Sequence, residues 1–427
     1  MRNKYIKIVL FLFFLMPFFE SMNGYFLGFG IANIYRFLIT GLILVYFIVH
    51  KKNYYNEIFN LMILMILFFM ITLIQFLFFH KSENFLLLDI KSILRILLCP
   101  VYFLFFKILL VNGDFYKSDL EKMIYVYSFL YSILIIVPYI FDLGYFSYDF
   151  ETNGLTTCIS HGEGLGVKGY FIELNSVVAI LGACVFFIKH RIVDLYRSQK
   201  EAIIEFILYV LLVFTLFLTA TKLGILLAIV ASIFLCIEIV LSKQITIRKK
   251  RRIIIFLISF IFIIWIFLND LLIGIVNRLD YFYYKNELMG VITSNRFTYL
   301  FESLQEIDVS NNTFFINLFG AGYAAPFGQS TVKRSIVEMD WFDFYFSYGI
   351  IGFISYIAFF KNAIVSVFYS KSYDMKSILL VFFIYSFIGG HIIVNSMTVT
   401  VLAICLSYVY IPDEKDEMRL INDISSF

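Results

Sequence analysis

An all-α polytopic membrane protein is the fold this sequence predicts, with about twelve transmembrane helices and one long outward loop between spans nine and ten. Three observations predict it. Of 427 residues, 61% are hydrophobic and only 15% are charged, far from the balance of a soluble domain. The mean hydropathy is +0.88. The apolar residues also collect in runs of about the 20 residues a helix needs to cross a hydrocarbon core. The same composition excludes a disordered chain and a nucleic-acid-binding domain, and a net charge of +3 names no partner. Cys99, Cys184, Cys236 and Cys405 lie inside apolar runs and Cys158 in a polar segment, with no CxxC spacing. Neither a disulfide framework nor a cysteine zinc site is expected.

The runs cover 5–20, 30–49, 57–79, 85–111, 120–141, 169–190, 202–219, 223–242, 253–271, 341–360, 376–393 and 395–411. The first, MRNKYIKIVLFLFFLMPFF, starts like a secretory leader, but no small-residue cleavage site follows, so it reads as a retained helix. Lysine and arginine crowd the connections at 50–56, 189–201, 243–252 and 361–376. By the positive-inside rule these connections and both termini are cytoplasmic, which an even span count also requires. The chain then forms one integral membrane domain, 1–427, with outer loops at 142–168 and 272–340. Cysteines placed at Lys249 and Gln329 are expected to label from opposite sides of the membrane; labelling from one side would overturn this topology. Loops of this length are usually functional or disordered. The second carries NRFTYLFESLQEI, whose Phe297, Leu300, Leu304 and Ile307 recur at the spacing of an amphipathic helix.

Ionisable groups at membrane depth mark function or a partner. In LLLDIKSILRILLCP, Lys91 is expected about 9 Å and Arg95 about 15 Å below the outer boundary, at 1.5 Å per residue and on one face. Asp89 is a candidate partner for Arg95. Arg36, Lys222, Arg296 and Arg334 are also predicted outward, so these six cations are expected to converge on one cavity. Such a ring suits a phosphate or pyrophosphate, whose oxygens guanidinium groups bind bidentately. The competing reading is snorkelling of long basic side chains to the headgroups. Glu338, Asp340 and Asp343 in VEMDWFD are the candidate bases for deprotonating an attacking sugar hydroxyl. They serve equally as caps of span ten. Glu173 and Asn175, in the first turns of span six, either bind a glycan or pair with a neighbouring helix. GLGVKG formally satisfies GxGxxG, but a membrane span follows it, and it reads as a flexible loop. His161 and His391 show no metal-site spacing.

GYFIELN opening span six, LTATKLG between spans seven and eight, NRFTYL and LFGAGY in the long loop, and VEMDWFDFYFSYGIIGF entering span ten together resemble the O-antigen ligase and polymerase superfamily. More narrowly, they resemble Wzy-type polymerases of O-antigen or capsular polysaccharide. The resemblance implies metal- and cofactor-independent, inverting glycosyl transfer at the outer face of the bacterial cytoplasmic membrane. The substrates it implies are oligosaccharides carried on undecaprenyl pyrophosphate, with membrane lipid, a chain-length regulator and a flippase as candidate partners. The family's basic residue after span seven falls on Lys222, where many members have arginine, and its loop arginine falls on Arg296. Where ligases carry a His-Asn pair, this chain has Asp340 and Trp341. On that ground Asp340 ranks first as base, with Glu338 and Asp343 behind it, and polymerase ranks ahead of ligase. A ligase-type transferase and a lipid-linked oligosaccharide exporter are the alternatives; an exporter should show paired halves and little extramembrane mass.

Overall fold

Where the sequence alternates long apolar runs with short polar connections, the chain forms helices. The computed structural model describes residues 2–27, 29–50, 53–81, 83–149, 164–267, 269, 271–277, 279–280, 283–284, 294, 296–309, 312–322, 337–370, 372–390 and 392–410. In chain order these include α1 (Arg2–Tyr25), α2 (Ile31–His50), α3 (Tyr55–Phe78), α4 (Glu83–Ile96), α5 (Leu98–Val111), α6 (Lys117–Ile140), α7 (Leu174–Arg197), α8 (Ile203–Leu218), α9 (Lys222–Leu241) and α10 (Ile247–Phe267). After the long connection come α11 (Arg296–Val309), α12 (Thr313–Phe319), α13 (Asp340–Tyr369), α14 (Tyr373–Ile388) and α15 (Ser396–Ser407). Each apolar run holds a helix. Among the described residues, eight helices are long and apolar enough to cross a membrane, the stretch Glu83–Val111 counting as one, and Ile203–Leu218 and Ser396–Tyr410 are shorter apolar helices. The protein is an all-α polytopic membrane protein.

The run expected as one span at 85–111 is interrupted at Leu97. Pro100 accounts for it, because its ring clashes with the carbonyl four residues back and removes one ladder donor. Beyond the break α5 is buried on nearly every side. So is α7 up to Val193, and so is α15. Helices apolar all round belong in the interior of a bundle, and here α5 packs on α15 while α7 packs on α6, α8, α9 and α14. Ion pairs tie the far end of α7 to its neighbours. Arg191 Nη2 meets Glu121 Oε2 of α6 at 2.9 Å, and Lys189 meets Glu238 of α9.

Two corrections to the sequence reading arise here. The GLGVKG segment is not a free loop. Gly164–Val167 is a strand, β2, paired antiparallel with β1 (Phe146–Asp149), and Leu165 packs with Ala220 and Ile275. Gly166, at φ +66, lies so close to the α8–α9 turn that a Cβ there would sit 2.7 Å from the Thr219 carbonyl oxygen. In α11, Leu300 and Ile307 are buried as expected, against Ile316, Val337, Met339 and Phe346, but Leu304 remains exposed.

Candidate functional site

Span ten does not run straight. Gly349, at φ 65 and ψ −173, breaks α13 about two and a half turns after its start at Asp340. The break frees carbonyls, and the Gly-rich turn after α12 takes them: Ala321 N–H donates to Phe346 O at 2.9 Å and Gly322 N–H to Ser347 O at 3.1 Å. Gln75 of α3, fully buried, donates from Nε2 to both Phe319 O and Ser347 O, at 2.5 and 2.8 Å. The fit is reciprocal. A Cβ on Gly320 would lie 2.4 Å from Ser347 C, and one on Gly349 would lie 2.2 Å from Leu318 O. Below this turn a Cβ on Gly322 would meet Lys81 Nζ at 2.1 Å. Lys81 forms a 2.5 Å ion pair with Asp89, with side chains 3% and 2% exposed. Burial lowers the Lys81 pKa, opposed by the hydrogen bond and charge of Asp89. Asp89 therefore pairs with Lys81, not with Arg95 as the sequence suggested.

This scaffold holds the three acids in different ways. Asp343 accepts from Val337 N–H (2.7 Å) and Met339 N–H (3.0 Å), capping the start of α13. Asp340 is buried, and its Oδ2 accepts from the amides of Ile392 and Ile393 at 2.6 and 3.1 Å. It clamps the turn between α14 and α15. Glu338 meets a cation: its Oε2 lies 3.0 Å from Arg296 Nη2, with side chains 27% and 11% exposed. Its backbone sits at φ 63, strained for a residue with a Cβ, and Gly390 packs against its carbonyl. Such strain persists only where the surroundings over-determine it, and it concentrates at functional sites.

The α14–α15 turn gathers the rest of this cluster. Arg296 also donates to Ile388 O, and Asn175 Nδ2 donates to Gly389 O at 3.0 Å. Asn175 thus pairs with a neighbouring helix end, one of its two expected roles. Lys222 opens α9, whose N-cap Thr221 accepts from Gly224 N–H. Its Nζ reaches Ser294 Oγ at 3.2 Å, two residues before Arg296.

Among the described residues, Arg36, Arg95 and Lys91 do not join them. Arg36 and Arg95 line a cavity of about 150 Å³, together with Glu20, Asn23, Asn33, Phe171, Glu173 and Asn395 among others. There Arg36 is held by Glu20 through three hydrogen bonds of 2.6–2.9 Å, and Ser396 Oγ donates to the same carboxylate. Lys91 is exposed and outside this lining. Arg334, His161 and His391 lie outside the described residues. Of the five expected cations among the described residues, Arg296 and Lys222 stand at one polar site and Arg36 and Arg95 at another, with Lys91 in neither. Sequence reading missed Glu20, Asn33 and Asn395, although a carboxylate inside the first apolar run was a legible signal. It also missed Lys168, buried beside the start of α7, where burial lowers its pKa against the opposing charge of Glu173.

Residues 277–415 match a family model described as O-antigen ligase like membrane protein. That stretch carries Arg296, Glu338, the broken α13 and the α14–α15 turn. No curated protein matches the chain. Over these residues, about a third of the chain, the protein is similar to that family.

Proposed function

We propose that this protein polymerises lipid-linked oligosaccharide repeat units in surface polysaccharide synthesis, with Glu338 as base and Arg296 as the stabiliser of the departing group. The Arg296–Glu338 ion pair carries the reading. The α7 start and the α14–α15 turn lie at one end of the bundle, and the charge pattern of the sequence puts that end outward.

A glycan bound through pyrophosphate draws Arg296 towards its phosphate oxygens, where a guanidinium binds bidentately. Glu338 loses its cationic partner and becomes a stronger proton acceptor, because a nearby opposite charge favours the ionised carboxylate. It takes the proton of an acceptor hydroxyl. The hydroxyl oxygen forms a bond to the anomeric carbon from the face opposite the phosphate, and the carbon–oxygen bond to the phosphate breaks with inversion. Undecaprenyl pyrophosphate leaves with the bonding electrons, its charge offset by Arg296 and, through the neighbouring Ser294, by Lys222. Asp340 has its carboxylate on two buried amides, which suits a turn clamp better than a base, so Glu338 takes first place in this reading.

The test is turnover of purified protein on lipid-linked repeat units as the sole substrate. Products of two or more units on the same lipid are expected. Glu338→Gln should lower turnover by about a hundredfold or more, the usual weight of general-base catalysis. Asp340→Asn keeps an oxygen that accepts both amides, and should stay within a few fold. Loss in Asp340→Asn with normal turnover in Glu338→Gln would reverse the assignment. Transfer only to a different added acceptor would favour the ligase-type alternative.

A further inference from the structure

The cavity lined by Glu20, Arg36, Arg95 and Glu173 has the hydrogen-bonding character of a sugar site. Its lining sets two arginines against two glutamates, with Lys168 buried outside the lining and opposed by the charge of Glu173. Three asparagines are among its lining residues. Asn23 Oδ1 accepts from Ala32 N–H at 3.2 Å, Asn33 Oδ1 from Arg36 Nη1 at 3.2 Å, and Asn395 Oδ1 from Met397 N–H at 2.9 Å. Each donor fixes which end of the amide is oxygen, and the other end is then an NH₂ group. The side chains of Arg95 and Glu173 make no hydrogen bond or ion pair among the described residues. The lining thus offers three amide donors, one guanidinium and one carboxylate acceptor around about 150 Å³.

A sugar hydroxyl both donates and accepts, and uses such a mixed lining fully. A phosphate only accepts, and two carboxylates in the wall would repel it. We infer that this cavity is a saccharide subsite that receives one ring of the glycan, with Glu173 accepting from a ring hydroxyl and Arg95, Asn33 and Asn395 donating to ring oxygens. The source of the glycan rests on the polymerase reading above. The subsite and the Arg296–Glu338 pair share two elements. Glu173 stands two residues before Asn175, which holds Gly389, and Asn395 follows the turn that Asp340 clamps. A ring bound here neighbours the reacting sugar.

Two water-soluble probes separate sugar from phosphate: the repeat-unit oligosaccharide released from its lipid and freed of phosphate, and inorganic pyrophosphate. Titration calorimetry on the purified full chain should show the oligosaccharide binding the wild type. Arg95→Met and Glu173→Gln should each weaken it about tenfold, as expected for one lost hydrogen bond to a charged group, with unchanged melting temperature. Pyrophosphate binding should be the same in all three proteins. In the polymer assay, KM for the lipid-linked unit should rise by a similar factor while saturated turnover stays within a few fold. Unchanged oligosaccharide affinity in both variants overturns the subsite, and so does a loss of pyrophosphate binding in Arg95→Met with saccharide binding intact. If the wild type makes no polymer yet binds the oligosaccharide in an Arg95-dependent way, the subsite stands and the polymerase reading falls.

Discussion

Arg296→Ala is expected to lower polymer synthesis by about a hundred- to a thousandfold, the cost of removing one preorganised donor from a site where negative charge develops. Single lipid-linked units should accumulate in its place. The side chain is 11% exposed and held by Glu338 and the Ile388 carbonyl, so an arriving pyrophosphate requires it only to exchange one anionic partner for another. Its loss removes no packing core, and the variant should melt near the wild type. Arg296→Lys should recover only part of the activity, since an ammonium keeps the charge and loses the fork that binds two oxygens at once. Lys222→Ala should fail in the same direction and Lys222→Arg should be tolerated, because an arginine keeps the positive charge and a donor for Ser294. Gel analysis of lipid-linked products from membranes of each variant provides the measurement. Full-length polymer from both Arg296→Ala and Lys222→Ala would show that the pyrophosphate is handled elsewhere.

Lys81→Met is expected to cost about 3–5 kcal/mol of stability, the penalty for removing one partner of a buried ion pair and leaving the other charge behind. Asp89 would keep its carboxylate at 2% exposure without its cation. The damage should reach beyond the pair, because Gly322 rests on it and belongs to the turn that plugs the break in α13. The double variant Lys81→Met/Asp89→Leu should regain most of the loss, since apolar replacement of a whole buried pair is often neutral or stabilising. Thermal denaturation in detergent, with folded yield, measures both. A single variant as stable as the wild type would mean that water reaches the pair and that it does not brace the turn.

Much of the architecture was legible without coordinates. Each apolar run holds a helix, and α11 carries the amphipathic face that Leu300 and Ile307 imply. The acids of VEMDWFD and the loop arginine were singled out, and they stand together around one turn. The roles within that group were not legible. Glu338, Asp340 and Asp343 are chemically alike and lie within six positions, yet one meets Arg296, one clamps Ile392 and Ile393, and one caps its own helix. Similarity to known families placed Asp340 where ligases carry a catalytic-looking pair. Only the observed hydrogen bonds assign its carboxylate to two amides.

Chain-local properties explain the first group. The length of an apolar run against the thickness of a bilayer, the period of a helix face, and the cost of an unpaired charge in hydrocarbon are all set within about 20 neighbouring residues. The composition and spacing of this sequence were therefore enough to establish a polytopic helical membrane protein and to mark where its charges would matter. Which charges meet was decided by the tertiary structure alone. Gln75 bonds a carbonyl 272 positions away, Asp340 an amide 52 away, and Arg296 a carboxylate 42 away. A hydrogen bond forms over about 3 Å and depends on direction, so its partners follow from how the helices pack, and of the cations read as one ring Arg296 and Lys222 stand by a turn while Arg36 and Arg95 line a cavity beside it.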